Sequence, residues 1–287
     1  MNGGGERTER DTEAPGRSEG GTREREVALN NNLVCIGLYV NARSFMNKLL
    51  WLEAVVEAMS PDIIGITESW CNDRVLEAEM ELVGYNLFRE DRKGGMRGGG
   101  VLLYVKSELR SVTFKTISIG EHVCCRILVE NNNDLIVGIV YRSDNHGLNM
   151  DTNESARQLI RELQPHNFLL MGDFNYPDID WVNNDGVRPN SRMFLECLED
   201  GFLTQHIKEP TRGQACLDLI ISKEPDLVEE IEVQGQFASS DHSLIKFQIV
   251  VSELKIISKK RSFDYTRACM NTVGKRLEKF RGNYKRG

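Results

Sequence analysis

The sequence predicts an α/β protein in which two stacked mixed β-sheets are flanked by helices, a four-layer α/β sandwich. Three observations lead there. Short apolar, β-branched runs recur from residue 33 to residue 251, each with the length and composition of a buried strand. Apolar residues at helical spacing fall in three intervals among those strands, and many strands with a few interspersed helices suggest sheets stacked together with helices outside. The final run alternates Ile245, Phe247 and Ile249 with Lys246 and Gln248, the pattern of a strand with one solvated face.

Taken in order, residues 1 to about 30 are rich in Gly, Glu and Arg, with Val27 and Leu29 nearly alone as bulky apolar residues. Such a segment cannot offset its ordering entropy by burial, so a disordered tail over 1–30 is expected. The domain begins with the strand Leu33–Val40 and is expected to run from 33 to 251. Phe45, Leu49, Leu52, Val56 and Met59 then mark an amphipathic helix that stops at Pro61. Strands are expected at 62–67, 99–105, 123–129, 135–141, 168–171, 217–222 and 244–251, with helices near 154–163 and 191–198. The glycine-rich stretch Gly94–Gly100 lacks the phosphate-loop pattern and precedes a strand, so it is expected to be a flexible hairpin loop.

Composition narrows the classes. No apolar run approaches the roughly 18 residues of a membrane span, and the start MNGGGERTER lacks the apolar core of a secretory signal. A soluble intracellular protein is expected, with no membrane partner and no organic cofactor. Seven cysteines, odd in number and without a C-x-x-C pair, argue against a zinc site or a disulfide framework. The net charge of −7 is unusual for a nucleic-acid protein, unless a cation stands between its carboxylates and the phosphate. From Ser252 the character changes to 11 Lys and Arg against 3 Asp and Glu, a solvated basic tail or an electrostatic arm.

Four polar clusters abut the apolar runs: Asn41-Ala-Arg-Ser44, Thr67-Glu68-Ser69-Trp70, Gly172-Asp173-Phe174-Asn175 and Ser239-Ser240-Asp241-His242. One such cluster reads as a turn or cap; four at strand ends read as loops that carry chemistry on a rigid scaffold. Asp218, inside an apolar strand, needs a partner if buried, and His242 is the natural one.

The order Asn41, Glu68, Tyr141, Asp173-x-Asn175, Asp218, Asp241-His242 resembles the motif series of the endonuclease/exonuclease/phosphatase superfamily, which includes abasic-site endonucleases, DNase I, sphingomyelinases and inositol-polyphosphate phosphatases. Ile64-Gly-Ile-Thr-Glu-Ser-Trp70, Val140-Tyr-Arg142, Glu209-Pro-Thr-Arg-Gly213 and Leu217-Asp-Leu-Ile220 are similar to the endonuclease domain of vertebrate non-LTR retrotransposons of the chicken-repeat and jockey lineages. The resemblance implies a DNA-nicking phosphodiesterase, acting in the nucleus, expected as a monomer. It also makes residues 252–287 either a basic tail or the start of a linker to a reverse transcriptase that the chain lacks, with Lys259-Lys-Arg261 a weak import signal.

The chemistry agrees with that resemblance. Carboxylates at Glu68, Asp173, Asp218 and Asp241 would repel a phosphodiester, so a cation must intervene. Oxygen ligands without a cysteine or histidine cluster point to Mg²⁺, or Mn²⁺ in its place. Glu68 is expected to bind the metal, with Asn41 and Asp241 completing its shell. Asp173 is expected as the base for the attacking water, Asn175 as the group that aligns it, and His242, oriented by Asp218, as donor to a phosphate oxygen. Tyr141 would stabilise developing charge. Arg92, Lys93 and Arg97 are candidate DNA-backbone contacts, and Trp70 and Trp181 either line the groove or pack.

Tyr141-Arg-Ser-Asp144-Asn145 departs from both the Tyr-x-x-Asn of the superfamily and the Tyr-Arg-Pro-Pro of the retrotransposon relatives, so no asparagine contact to phosphate carries over there. Two rival functions remain at this level: a phosphatase or lipid phosphodiesterase on the same fold, and a catalytically silent relic that binds DNA through its basic tail.

Overall fold

The computed structural model describes residues 33–94, 97–129, 133–144 and 151–251. The expected tail over 1–30 and the basic segment over 252–287 lie outside them, as does Asn145. Within the described residues the chain runs β1 (Leu33–Asn41), α1 (Leu49–Met59), β2 (Ile63–Thr67), β3 (Tyr85–Glu90), β4 (Val101–Lys106), β5 (Ser111–Phe114), β6 (Glu121–Ile127), β7 (Leu135–Tyr141), α2 (Thr152–Leu163), β8 (Asn167–Asp173), β9 (Ile179–Asp180), β10 (Asp185–Gly186), α3 (Pro189–Asp200), β11 (Thr204–Gln205), β12 (Asp218–Ser222), β13 (Val228–Gln236) and β14 (Ser243–Val251).

Two six-stranded sheets result, with orders β13-β14-β1-β2-β4-β3 and β11-β12-β8-β7-β6-β5, and β9 and β10 form a separate two-stranded ribbon. Each large sheet has a single parallel pair at its centre, β1 with β2 and β7 with β8, and is antiparallel elsewhere. The sheets are therefore mixed, as the sequence predicts.

Strand alternation sorts the apolar residues into three cores. Tyr39, Ile63, Leu103, Val137, Met171, Ile245 and Phe247 meet between the sheets. Their neighbours Leu38, Val40, Ile64, Ile66 and Tyr104 turn outward to pack with Leu52 of α1. On the far side Ile136, Phe168 and Leu170 pack under Leu159, Ile160 and Leu163 of α2 and Phe194 and Leu198 of α3. Each large side chain so buried contributes roughly 1.5–3 kcal/mol, and the three layers of contact give the α/β/β/α sandwich.

Every interior strand of the two sheets lies where the sequence predicts one; β3, β5, β11 and β13, all at sheet edges, do not appear in the sequence reading. The expected helix from Phe45 also starts later, with a short 3₁₀ turn at Met46–Lys48 before α1. There the buried Lys48 ammonium donates to the carbonyls of Ala42 (2.6 Å) and Arg43 (2.8 Å), which holds the chain in a turn until Leu49. Cys35, Cys71, Cys124, Cys125 and Cys197 are buried thiols and Cys216 is half-buried, none of them in a disulfide.

Sheet stacking leaves little room at the glycines of the inner face. A Cβ on Gly37 would lie 2.3 Å from the Phe247 ring, and one on Gly65 would lie 2.4 Å from the Met171 sulfur. Gly37→Ala is expected to destabilise the protein by about 1–3 kcal/mol through overpacking. Urea unfolding checks this, and the penalty should shrink in a Phe247→Leu background; equal penalties in both backgrounds would refute the contact.

Candidate active site

The parallel pairs decide where the polar clusters go. Asn41 ends β1, Glu68 follows β2, Tyr141 ends β7 and Asp173 ends β8, so the carboxyl ends of both central pairs deliver their last residues to one rim. Asp218, the first residue of β12, lies directly opposite Asp173 in the antiparallel ladder. His242 precedes β14, the antiparallel neighbour of β1.

The side chains converge. Asn41 Nδ2 donates to Asp173 Oδ2 at 2.9 Å and to Glu68 Oε1 at 3.2 Å, so one amide ties the two carboxylates together. Tyr141 hydroxyl donates to Glu68 Oε1 at 3.2 Å and Trp70 Nε1 to Glu68 Oε2 at 2.9 Å. Asp218 accepts from His242 Nδ1 at 2.7 Å on one oxygen and from the Tyr39 hydroxyl at 2.7 Å on the other. Because the Tyr39 proton goes to Asp218, the Thr67 hydroxyl 2.8 Å away must donate to Tyr39. Asn41, Asp173, Asp218 and His242 are all buried, while Glu68, Tyr141 and Asn175 are half-exposed at the mouth.

Burial pushes the Asp173 carboxyl well above the ordinary carboxylate range; the charge of Asp218 adds to this, while His242 and the Asn41 hydrogen bond oppose it. For His242 burial works against the charged ring, yet the hydrogen bond and charge of Asp218 outweigh it and leave the pKa above the ordinary histidine value. A buried carboxyl with a raised pKa beside an imidazole that favours its proton has the electrostatics an acid–base pair requires. Burial, with the nearby charges of Glu68 and Asp173, also raises the Tyr141 phenol, which keeps it a hydrogen-bond donor.

The loops that carry these groups are strained. Of the ten non-glycine residues with positive φ among the described residues, Arg43, Ser44, Glu68, Trp70, Asn175 and Ala238 lie in the four loops of the site, so the strain is concentrated in those loops. Arg142, buried beside Tyr141, donates to the carbonyls of Phe174 and Asn175 and fixes the turn that presents Asn175. Thr211 Oγ1 accepts from the amide of Asp218 (3.0 Å), and the Ser240 hydroxyl donates to the Asn41 carbonyl (2.7 Å), which joins the His242 loop to β1.

Three basic residues expected at a DNA backbone have different surroundings. Arg92 is buried, its Nε 2.7 Å from Glu121 Oε1 and its guanidinium 5.6 Å from the Tyr141 ring centre. Gly98, Gly99 and Gly100, all at positive φ, wrap this ion pair; a Cβ on Gly99 would lie 2.1 Å from Glu121 Oε2. The Gly100 amide donates to Glu121 (2.6 Å), and the carbonyls of Gly99 and Gly100 accept from Trp70 and Ser69, so the glycines brace the Glu68 segment. Lys93 is exposed and pairs with Glu90 at 3.0 Å, and Arg97 lies over the Trp70 ring at 5.0 Å. Trp181, by contrast, packs against the helix-covered core of the second sheet.

Asp241 is held by two arginines, Arg43 and Arg212, each 2.8 Å from its Oδ2. Burial alone would raise its pKa, but those two cations bring it below the ordinary value. Its Oδ1 is buried with no hydrogen-bond partner, as are Asp173 Oδ1 and His242 Nε2. The two unsatisfied buried carboxylate oxygens fit a divalent cation and its waters. Asp173, Asp218 and His242 bring ligand-type atoms within 4.8 Å of one another; both oxygens of Asp218 and both of Glu68 accept hydrogen bonds, so Asp173 Oδ1 and Asp241 Oδ1 are the open carboxylate oxygens.

A sandwich of two mixed sheets with an acidic, histidine-bearing rim defines a nuclease or phosphatase scaffold. The chain belongs to the Endonuclease/Exonuclease/phosphatase family, which it matches over residues 38–242, from the middle of β1 to the site histidine. No curated protein is a significant match. Solved structures of similar fold include the endonuclease domain of TRAS1, a telomere-specific non-LTR retrotransposon, at 16% identity and TM-score 0.57, covering 75% of this chain and 98% of that one. The AP endonuclease LMAP from Leishmania major aligns at 15% identity and TM-score 0.60, with 76% and 88% covered. A 3′ phosphatase, NExo from Neisseria bound to a product DNA hairpin, aligns at 15% identity and TM-score 0.57, with 75% and 99% covered.

Glu121→Ala leaves the Arg92 guanidinium buried without its carboxylate and is expected to destabilise the protein by about 3–5 kcal/mol. Urea denaturation of Glu121→Ala, Arg92→Ala and the double variant checks the coupling. Strictly additive losses would show that the pair braces nothing.

Proposed function

We propose that this chain is a Mg²⁺-dependent DNA endonuclease that nicks target DNA as the endonuclease domain of a non-LTR retrotransposon. The observation that carries the reading is the convergence of Asn41, Glu68, Tyr141, Asp173, Asp218 and His242 around buried atoms, Asp173 Oδ1 and His242 Nε2, that have no protein partner. Family membership and the fold shared with the TRAS1 domain support it.

Glu68 would hold the cation, with Asn41 and Asp241 completing or orienting the shell. Bound there, Mg²⁺, or Mn²⁺ in its place, would offset the carboxylate charge, polarise the phosphoryl oxygen and stabilise the leaving oxyanion. Asp173, its Oδ2 fixed by Asn41, takes the proton of the attacking water on Oδ1. Asn175 aligns that water with the phosphorus. His242, its Nδ1 pinned on Asp218, presents Nε2–H to a non-bridging phosphate oxygen, and Tyr141 adds its hydroxyl to the developing charge. The water oxygen bonds to phosphorus as the P–O3′ bond breaks, leaving a 3′-hydroxyl and a 5′-phosphate. Sequence tolerance follows if contacts to backbone and groove shape, from Lys93 and Arg97 among others, outweigh base reading. The substrate places the action in the nucleus.

Supercoiled plasmid should be converted to nicked circles with Mg²⁺ and left intact with EDTA. Asp173→Asn and His242→Ala should each slow nicking by about 10²–10⁴-fold; metal-independent nicking, or an Asp173→Asn protein as fast as the parent, would sink the reading. Asp218→Asn, which removes the charge that orients His242, should lower kcat by at least about 10²-fold while KM changes little. Single-turnover kinetics on a labelled oligonucleotide separate the two.

A further inference from the structure

Beside the catalytic cluster lies a cavity of about 770 Å³, between the segment after β2 and the β3–β4 hairpin, with Trp70, Arg74, Arg92, Lys93 and Arg97 in its walls. That is within the roughly 300–1,000 Å³ range of small-molecule pockets. Beyond the backbone contacts of Lys93 and Arg97 the chemistry proposed above does not use it, and two of its features point to a ligand.

Trp70 spends its Nε1 on Glu68, which fixes the indole, and the planar guanidinium of Arg97 lies over the ring at 5.0 Å. Together they form a flat, cationic stacking surface. Arg92, more than nine-tenths buried, is tied to Glu121 through its Nε and closes one wall. The acidic wall residues are largely neutralised from the protein side: Asp91 by Arg89 at 2.8 Å and Glu90 by Lys93 at 3.0 Å. Arg74 and Arg97 make no ion pair among the described residues and face one remaining wall carboxylate, Asp73. On a chain of net charge −7 this hollow is locally cationic.

A stacking plane and surplus positive charge in one hollow recognise a nucleobase attached to its phosphate. A base stacked inside a duplex cannot enter a cavity, so the occupant must be unpaired or extruded. We infer that this cavity is a subsite for an unpaired nucleobase of the DNA strand held next to the scissile phosphodiester. The base stacks on the Trp70–Arg97 pair, and the cationic wall holds its phosphate. The inference rests on the DNA-endonuclease reading and adds to it a preference for locally unpaired sites. Through the Trp70–Glu68 hydrogen bond, occupancy of the cavity also bears on the residue assigned to the metal.

The test uses the full chain carrying Asp173→Asn, without divalent cation, and fluorescence anisotropy with two labelled duplexes of one sequence, one fully paired and one with a single-nucleotide bulge. The parent should bind the bulged duplex at least about tenfold more tightly, the value of one stacked base. Arg97→Lys, which keeps the charge and loses the planar surface, should bring the bulged-to-paired affinity ratio to within about twofold of one. Equal binding of the two duplexes by the parent, or an Arg97→Lys protein that keeps the full preference, would overturn the inference. Wild-type protein that fails to nick plasmid while the bulge preference survives would overturn the endonuclease reading alone; no binding to either duplex would overturn both.

Discussion

Two carboxylates face each other across a strand ladder. Asp173 and Asp218 are opposite partners in β8 and β12, both are buried, and each has an oxygen within 4.8 Å of the other group. At an effective dielectric near 20, two like charges at that separation cost roughly 3–4 kcal/mol. Most of what surrounds them answers that repulsion. Tyr39 and His242 donate to Asp218, and Asn41 donates to Asp173 and bridges it to Glu68. What is left over is a carboxyl with a raised pKa and one free oxygen, the condition of a base waiting for a proton. The unusual electrostatics and the chemistry are one arrangement.

That arrangement is stable because the sandwich fixes both sheets before the loops begin. The central parallel pairs end at the same rim, and the strained turns after β1, β2 and β8 need neighbours that over-determine them. Lys48 does this for the first turn by donating to the carbonyls of Ala42 and Arg43, and Arg142 does it for the turn at Asn175. The Arg92–Glu121 pair, wrapped by three left-handed glycines, does it for the Glu68 segment and links the two sheets across the site. Here a basic residue that resembles a substrate contact in sequence has a structural use.

The legible and illegible parts of the sequence divide along physical lines. All eight interior strands are apolar enough to announce themselves, whereas β13, with Glu229, Glu230 and Glu232 at its exposed positions, is charged as sheet edges are. The site residues were legible because Asn41, Glu68, Asp173 and His242 each interrupt or bound an apolar run, in an order shared with a family. Tyr39 and Arg142 were not given roles, because a tyrosine inside a strand looks like core and an arginine after one looks like surface. Burial is the only signal that separates these cases, and sequence reports it poorly for side chains with a polar tip. Trp181, which the sequence leaves open between groove and core, packs against the helix-covered core.

The thiols buried through all three cores carry a practical consequence. Burial raises Cys35, Cys125 and Cys216 to about 12 and lifts Cys71, Cys124 and Cys197 as well. Near neutral pH almost none of these six sulfurs is a thiolate, so alkylating reagents leave them unlabelled until a layer opens. With Cys35 between the sheets, Cys71 under α1 and Cys124 beneath α2, the order in which they become labelled would report which layer parts first.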